Sequence, residues 1–262
     1  AEAAGPESFR GFLAKHANVE LGMNLRSDRW AGSDFWEAQG TAKGLTLDEL
    51  IARSEVIDIG IDGGGLDDLL GLAVLGRDAK TRQWLLWARA WAHPSVLERR
   101  KDIAPRLHDF AKDGDLGLVK VIGDDVAEVA EICAQVYESG KLDKIGCDPA
   151  GLGGIIDSIL QADVPNEYMV AVTQGWKMTG AIKTAERKLA EGVMVHAGQP
   201  LMAWCCGNAK IEPRGNAVII TKQAAGTAKI DPLMAMFNAV TLMSLNPESE
   251  NIDDFINNLV SG

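Results

Sequence analysis

Residues Glu55–Leu75 read EVIDIGIDGGGLDDLLGLAVL, and this stretch decides how the rest of the chain is read. Ile57, Ile59 and Ile61 alternate with Asp58, Gly60 and Asp62, the period of two that marks a strand with one face in the core. Its other face therefore carries acid. Gly63, Gly64 and Gly65 follow at once and permit backbone angles that side chains forbid, and the chain returns through Asp67 and Asp68 into the apolar run Leu69–Leu75. A hairpin results with three carboxylates, Asp62, Asp67 and Asp68, at its mouth.

Working outward, TLDELIAR (46–53) predicts a short helix capped by Thr46, with acids in the first turn where the helix dipole favours them. RQWLLWARAW (82–91) is apolar and aromatic enough for a third strand of a meander. A helical stretch over 95–112, a short strand over 118–122 and a helix over 125–139 come next. KIGCD (144–148) is a short apolar strand ending in an acid, a pattern suited to the carboxyl edge of a sheet, where open α/β sheets place their sites. The alternation continues with a helix at 151–161, a strand at 168–172 and a basic amphipathic helix at 181–191. A helix at 200–207, a hairpin of 209–212 with 217–222, and a strongly apolar helix at 232–245 complete it. Three antiparallel strands followed by alternating helices and strands predict a mixed α/β sheet with helices on both faces, the ribonuclease H-like plan. Residues 1–47, with Trp30 and Trp36, read as an arm leaning on a main domain of residues 48–247; residues 248–262 read as an acidic tail.

With 262 residues and 47% hydrophobic content the chain can bury a full core. Its formal net charge of −11 leaves no overall basic field for nucleic acid or an anionic membrane, so a polyanion would need a local basic patch or metal ions. Cys133, Cys147, Cys205 and Cys206 show neither CxxC spacing nor a zinc partner set with the four histidines, and read as reduced, buried thiols. No apolar run approaches the roughly 18 residues that would span a bilayer. A cytoplasmic protein without a membrane partner is the expectation.

Asp62, Asp148 and Asp231 occupy element edges that such a sheet brings together. Hard divalent cations take oxygen ligands, and two such ions about 3.5–4 Å apart serve in-line phosphodiester hydrolysis. Each acid also has a structural reading. Asp231 before Pro232 is a common helix start, and Asp148 before Pro149 suits a turn. Asp62 is harder to explain that way, because an acid within an apolar strand must be paired or bound. Asp58, on the same strand face, is its rival; Asp67 and Asp68 sit at a loop tip where solvated acids are ordinary. Lys177, Lys183, Arg187 and Lys188 form the best local basic patch, a candidate DNA contact that equally suits a solvated helix face. GWKMTGAIKT (175–184) fails as a phosphate loop because Ala181 stands where the lysine is required. His196 reads as structural.

The runs IGIDGGGLDDLLGLAVLGR, WLLWARAW, IGCDPAG, TQGWKMTGAIKTAERKL, HAGQPLMAWCCGNAKIE and RGNAVIITKQAAGTAKIDPLMAMFNAV closely resemble the C-terminal nuclease half of the large terminase subunit of tailed double-stranded DNA bacteriophages and prophages, over roughly residues 10–247. The resemblance implies a ribonuclease H-like endonuclease that cuts concatemeric viral DNA at the start and end of packaging with two magnesium or manganese ions. It places the catalytic, metal-holding aspartates at Asp62, Asp148 and Asp231, with Asp68 and Lys229 as candidate assistants. Its implied partners are double-stranded DNA, the portal and the small terminase subunit. The family's large subunit also has an N-terminal P-loop ATPase; this chain has no P-loop, so no ATP site is expected, residues 1–47 correspond to the junction with that motor, and the isolated domain is expected to be a monomer. Two other classes remain at this stage. One is a non-catalytic module of the packaging motor that docks through the tail or the Trp30 and Trp36 arm. The other is an actin-like or sugar-kinase-like phosphate-binding domain, which would need a second hairpin of the first kind.

Overall fold

The period of two in the opening stretch is realised as strand β1 (Ser54–Gly63), whose isoleucines and acids point to opposite faces of one sheet. The structure, a computed structural model, describes residues 28–41, 44–65, 67–148, 153–222 and 228–249. Helical turn α1 (Ser33–Trp36) and helix α2 (Leu47–Arg53) precede β1. Thr46 caps α2: its hydroxyl accepts from the Glu49 N–H at 3.2 Å, and the Glu49 carboxylate accepts from the Thr46 N–H.

Strands β2 (Leu70–Asp78) and β3 (Trp84–Ala92) complete the antiparallel meander, with Asp62 opposite Gly71 and Leu70 opposite Trp91. Helices α3 (Pro94–Arg99) and α4 (Ala104–Lys112) lead to the short β4 (Leu116–Leu118), parallel to β3. Helix α5 (Asp124–Glu138) leads to β5 (Leu142–Cys147), parallel to β1, and α6 (Gly153–Gln161) leads to β6 (Met169–Ala171), parallel to β5. Then come α7 (Thr179–Ala190), β7 (Met194–His196), α8 (Pro200–Asn208), the hairpin of β8 (Ala209–Arg214) with β9 (Ala217–Lys222), and α9 (Asp231–Met243). Strand order is β4-β3-β2-β1-β5-β6, with β7 also pairing with β3. This is the ribonuclease H-like plan. Ile57, Ile59 and Ile61 bury against α5 and α6, while Val56 and the opposite face meet α7, α8 and α9. Among the described residues no helix is long and apolar enough to cross a membrane.

Three expectations need correction. The helix over 95–112 is two helices, because Pro105 lacks the N–H that would continue the first one and instead stands in the opening turn of α4. The strand over 118–122 lies at Leu116–Leu118; the last backbone bond there runs from Val119 N–H to Ala92 O, and Lys120, Val121 and Ile122 are exposed. Strand β7 was not expected, since three residues carry no usable period. The helix at 151 is described from Gly153; residues 149–152, like residues 1–27 and 250–262 of the arm and tail, lie outside the described residues. All four cysteines are buried and free.

Candidate active site

The placement of the acids begins with two glycines. A Cβ on Gly60 would lie 1.9 Å from Ala235 O, and one on Gly71 would lie 2.6 Å from Pro232 N, so bare backbone on β1 and β2 lets the first turns of α9 rest directly on the sheet. Asn238 fixes this contact by donating to Ile61 O at 2.8 Å. Asp231, the first residue of α9, thereby meets the end of β1, where Asp62 points to the same face. Asp148 directly follows β5, and because Cys147 pairs with Ile61 in parallel register it emerges beside Asp62. Asp68 comes from the turn between β1 and β2. Four carboxylates from four segments thus share one edge of the sheet.

Two lysines and a glutamine hold them. Lys229, a buried side chain only 2% exposed, donates to Asp68 at 2.5 Å and to Asp67 O at 3.0 Å. Lys222, at the end of β9, donates to Asp68 at 2.8 Å and stands 3.9 Å from Asp231. Gln174, past β6, donates to Asp62. Asp67 is exposed at the loop tip, with Arg99 3.9 Å away.

The electrostatics follow from that arrangement. Burial raises the Asp62 carboxyl against the Gln174 hydrogen bond, and the charges of Asp148 and Asp68 add to it, bringing it to about 6. Burial would also raise Asp68, but hydrogen bonds and charge from Lys222 and Lys229 outweigh it and hold that carboxyl at about 2. Asp231 is raised well above the usual range, by burial first and then by the charge of Asp68; its Oδ2 is buried without a hydrogen-bond partner. A buried carboxylate oxygen left without a donor is costly unless a proton or a cation serves it. The donor set is all oxygen, as hard divalent cations require. Among the described residues, however, no three His, Cys, Asp or Glu side chains close on one point tightly enough to enclose an ion; the lysines and Gln174 engage some of their oxygens.

Of the residues singled out in the sequence, Asp62, Asp68, Asp148, Asp231 and Lys229 come together. Asp58 does not: it is fully buried in mid-strand, toward Arg77 and Asp143. Nor do Lys183, Arg187 and Lys188. Lys183 pairs with Glu186 at 2.8 Å and Arg187 with Glu191 at 2.7 Å, while Lys188 lies over Trp84, at the far end of β3 from the acids. Lys177 stays nearer, in the turn after Gln174. Gln174 and Lys222 carry no motif of their own in the sequence, and only the fold brings them to the acids. His196 is structural, buried and stacked on Trp36 at 4.0 Å between ring centroids.

With this geometry in place, comparison with known proteins decides the family. The family model described as "Terminase large subunit, endonuclease domain" matches residues 2–246. The chain belongs to that family. Protein YmfN of Escherichia coli (strain K12) is 24% identical over 187 residues, which is 68% of this chain and 40% of YmfN. The large terminase of bacteriophage HK97 superposes with a TM-score of 0.67 at 21% identity, over 90% of this chain and 48% of that one. The large terminase nuclease of thermophilic phage G20c, crystallised with bound magnesium, gives a TM-score of 0.50 at 12% identity, over 82% of this chain and 98% of that one. At these identities the two structures establish a shared fold. This terminase nuclease domain spans about half or less of the length of YmfN and of the HK97 protein.

Proposed function

We propose that this terminase nuclease domain is a metal-dependent endonuclease that cuts concatemeric double-stranded viral DNA during genome packaging. The observation that carries the reading is the meeting of Asp62, Asp148 and Asp231 at one sheet edge in a chain of this family, with a buried Asp231 oxygen lacking a donor. Magnesium or manganese fits this all-oxygen set, and the G20c neighbour carries magnesium. Asp62, Asp148 and Asp231 would hold two ions, with Asp68 assisting; when bound, the ions activate water and stabilise the leaving oxygen of a phosphodiester. Around them the protein's own groups have separate tasks. Gln174 orients the Asp62 carboxylate. Lys229 and Lys222 keep Asp68 ionised and anchor its loop to the segments before α9 and at the end of β9. Lys222 also offsets the crowding of negative charge that raises Asp62 and Asp231. The proposed partners are duplex DNA, the portal and the small terminase subunit.

A docking module that engages its partner through Trp30 and Trp36 does not fit, because those side chains are 0% and 4% exposed. The test of the nuclease reading is plasmid cleavage with EDTA, magnesium or manganese, beside Asp62→Asn and Asp148→Asn. Nicking or linearisation that requires the divalent ion and falls to background in both variants, with unchanged circular dichroism, is expected. Metal-dependent cutting retained by Asp62→Asn would sink the assignment.

A further inference from the structure

The acids need help to hold a polyanion on a chain of net charge −11, and the basic face of α7 is turned away from them. The sheet itself shows where other cations gather. Strands β3 and β4 run parallel and end at the same edge as β1, since Leu70 opposite Trp91 and Ala92 opposite Leu118 put their last residues beside the hairpin mouth. From that edge emerge Arg99, Arg100 and Lys101 at the end of α3, and Lys120 just past β4. Arg99, Lys101 and Lys120 are exposed, and Arg99 already stands 3.9 Å from Asp67 in the acidic loop. Arg100 is half-buried, with its Nε lacking a hydrogen-bond partner. The acids of the same two segments, Glu98 and Asp102, are outnumbered. Asp124 and Asp125 open α5, which packs on the opposite face of the sheet, whereas Val96 of α3, Leu107 of α4 and Ile103 between them pack on the face that carries Asp62 and Asp231.

We propose that the rim formed by Arg99, Lys101 and Lys120 is a contact surface for the DNA duplex backbone, holding phosphates on the β4 side of the one at the acids. The inference rests on the nuclease reading above and adds the surface on which its substrate lies. Strands are spaced about 4.8 Å apart, so the outer end of the rim, at Lys120 past β4, lies roughly 14 Å from the end of β1, while Arg99 marks its inner end beside the acidic loop. Measured along the helix axis, that distance is about four base-pair rises of 3.4 Å, a reach a rigid duplex spans without bending. The contact is to phosphate and carries no base preference.

The test measures duplex binding by fluorescence anisotropy across a salt series, with calcium in place of the cleaving metals. It compares the unaltered protein, the triple variant Arg99→Ala, Lys101→Ala, Lys120→Ala, and a control triple variant Lys183→Ala, Arg187→Ala, Lys188→Ala. The rim variant should bind at least tenfold more weakly near 0.1 M salt, with the slope of log affinity against log salt reduced by two to three, about 0.9 for each lost phosphate contact. The control should match the unaltered protein. All three rim side chains are exposed, so a melting temperature within about 2 °C of the unaltered protein is expected. A rim variant that binds like the unaltered protein overturns the surface and leaves the nuclease reading standing. An unaltered protein that neither binds nor cuts duplex DNA removes both.

Discussion

Asp58 and Asp62 lie four residues apart on one face of one strand, and their surroundings give them opposite characters. Asp62 ends the strand, with Gln174 donating to it and three other carboxylates near by. Asp58 is fully buried; burial first, and then the charge of Asp143, raise its carboxyl to about 8 against the pull of the Lys144 backbone. In the unfolded chain the same group ionises near 3.8. Between those values the folded state holds a proton that the unfolded state has shed, so this residue's contribution to stability falls as pH rises from about 4 to about 8. Asp58→Asn keeps the shape without that penalty. Its melting temperature should exceed that of the unaltered protein by about 3 °C or more at pH 8, with the gap closing toward pH 5. An equal gap at both values would mean that Asp58 is ionised in the fold. The period of two legible in the sequence puts both acids on one face and cannot rank them, because rank depends on depth beneath α9, which belongs to a segment some 170 residues away. For the same reason Gln174 and Lys222 could not be read beforehand: each is an ordinary polar residue at the end of a short strand or turn until the sheet carries it to the acids.

At the scale of elements, the long strands of the opening hairpin and the apolar final helix were legible, since each repeats its period several times. Of the three-residue strands, β4 was legible only with its bounds displaced and β7 was not legible at all, and the break before α4 turned on a single proline. The union of α9 with β1 and β2 was also hidden, because a glycine in a strand announces close approach without saying what approaches. Here it is the helix backbone. Gly60→Ala would set a methyl 1.9 Å from Ala235 O, an atom of helix backbone that no rotamer change can move aside. Overpacking of this kind costs about 3 kcal/mol or more. The helix would also be lifted from the sheet, taking Asp231 away from Asp62. Gly60→Ala should therefore lower the melting temperature by several degrees and reduce plasmid cutting even below that transition. Full activity in a folded variant would show that the seat of α9 does not set the position of Asp231.

Across the whole molecule, the segment read from sequence as a leaning arm is built into the core as far as it is described. Asp28 O accepts from Ile211 N–H at 2.7 Å and Thr41 N–H donates to His196 O at 3.0 Å, so 28–41 is tied at one end to β8 and at the other to β7. Between those ties Trp30 meets Phe237 of α9 edge-on, with centroids 5.3 Å apart, and Trp36 stacks on His196, whose Nε2 lies 2.7 Å from Trp36 O. Burial lowers the His196 imidazole to about 4, against the pull of its bond to Trp36, so it stays neutral at physiological pH, with Nε2 donating to Trp36 O and Nδ1 accepting from Gly198 N–H at 3.1 Å. An arm with mixed composition and no period gives no sign of this from its own residues, because the partners of both tryptophans lie some 160 to 200 residues further along. Trp30 touches the helix that carries Asp231, which connects the arm to the site. Trp30→Ala should cost about 3–5 kcal/mol, the range for deleting a buried aromatic, and denaturant titration should read it as a lower midpoint with an unchanged slope. A midpoint that does not move would mean that the nuclease core closes without the arm.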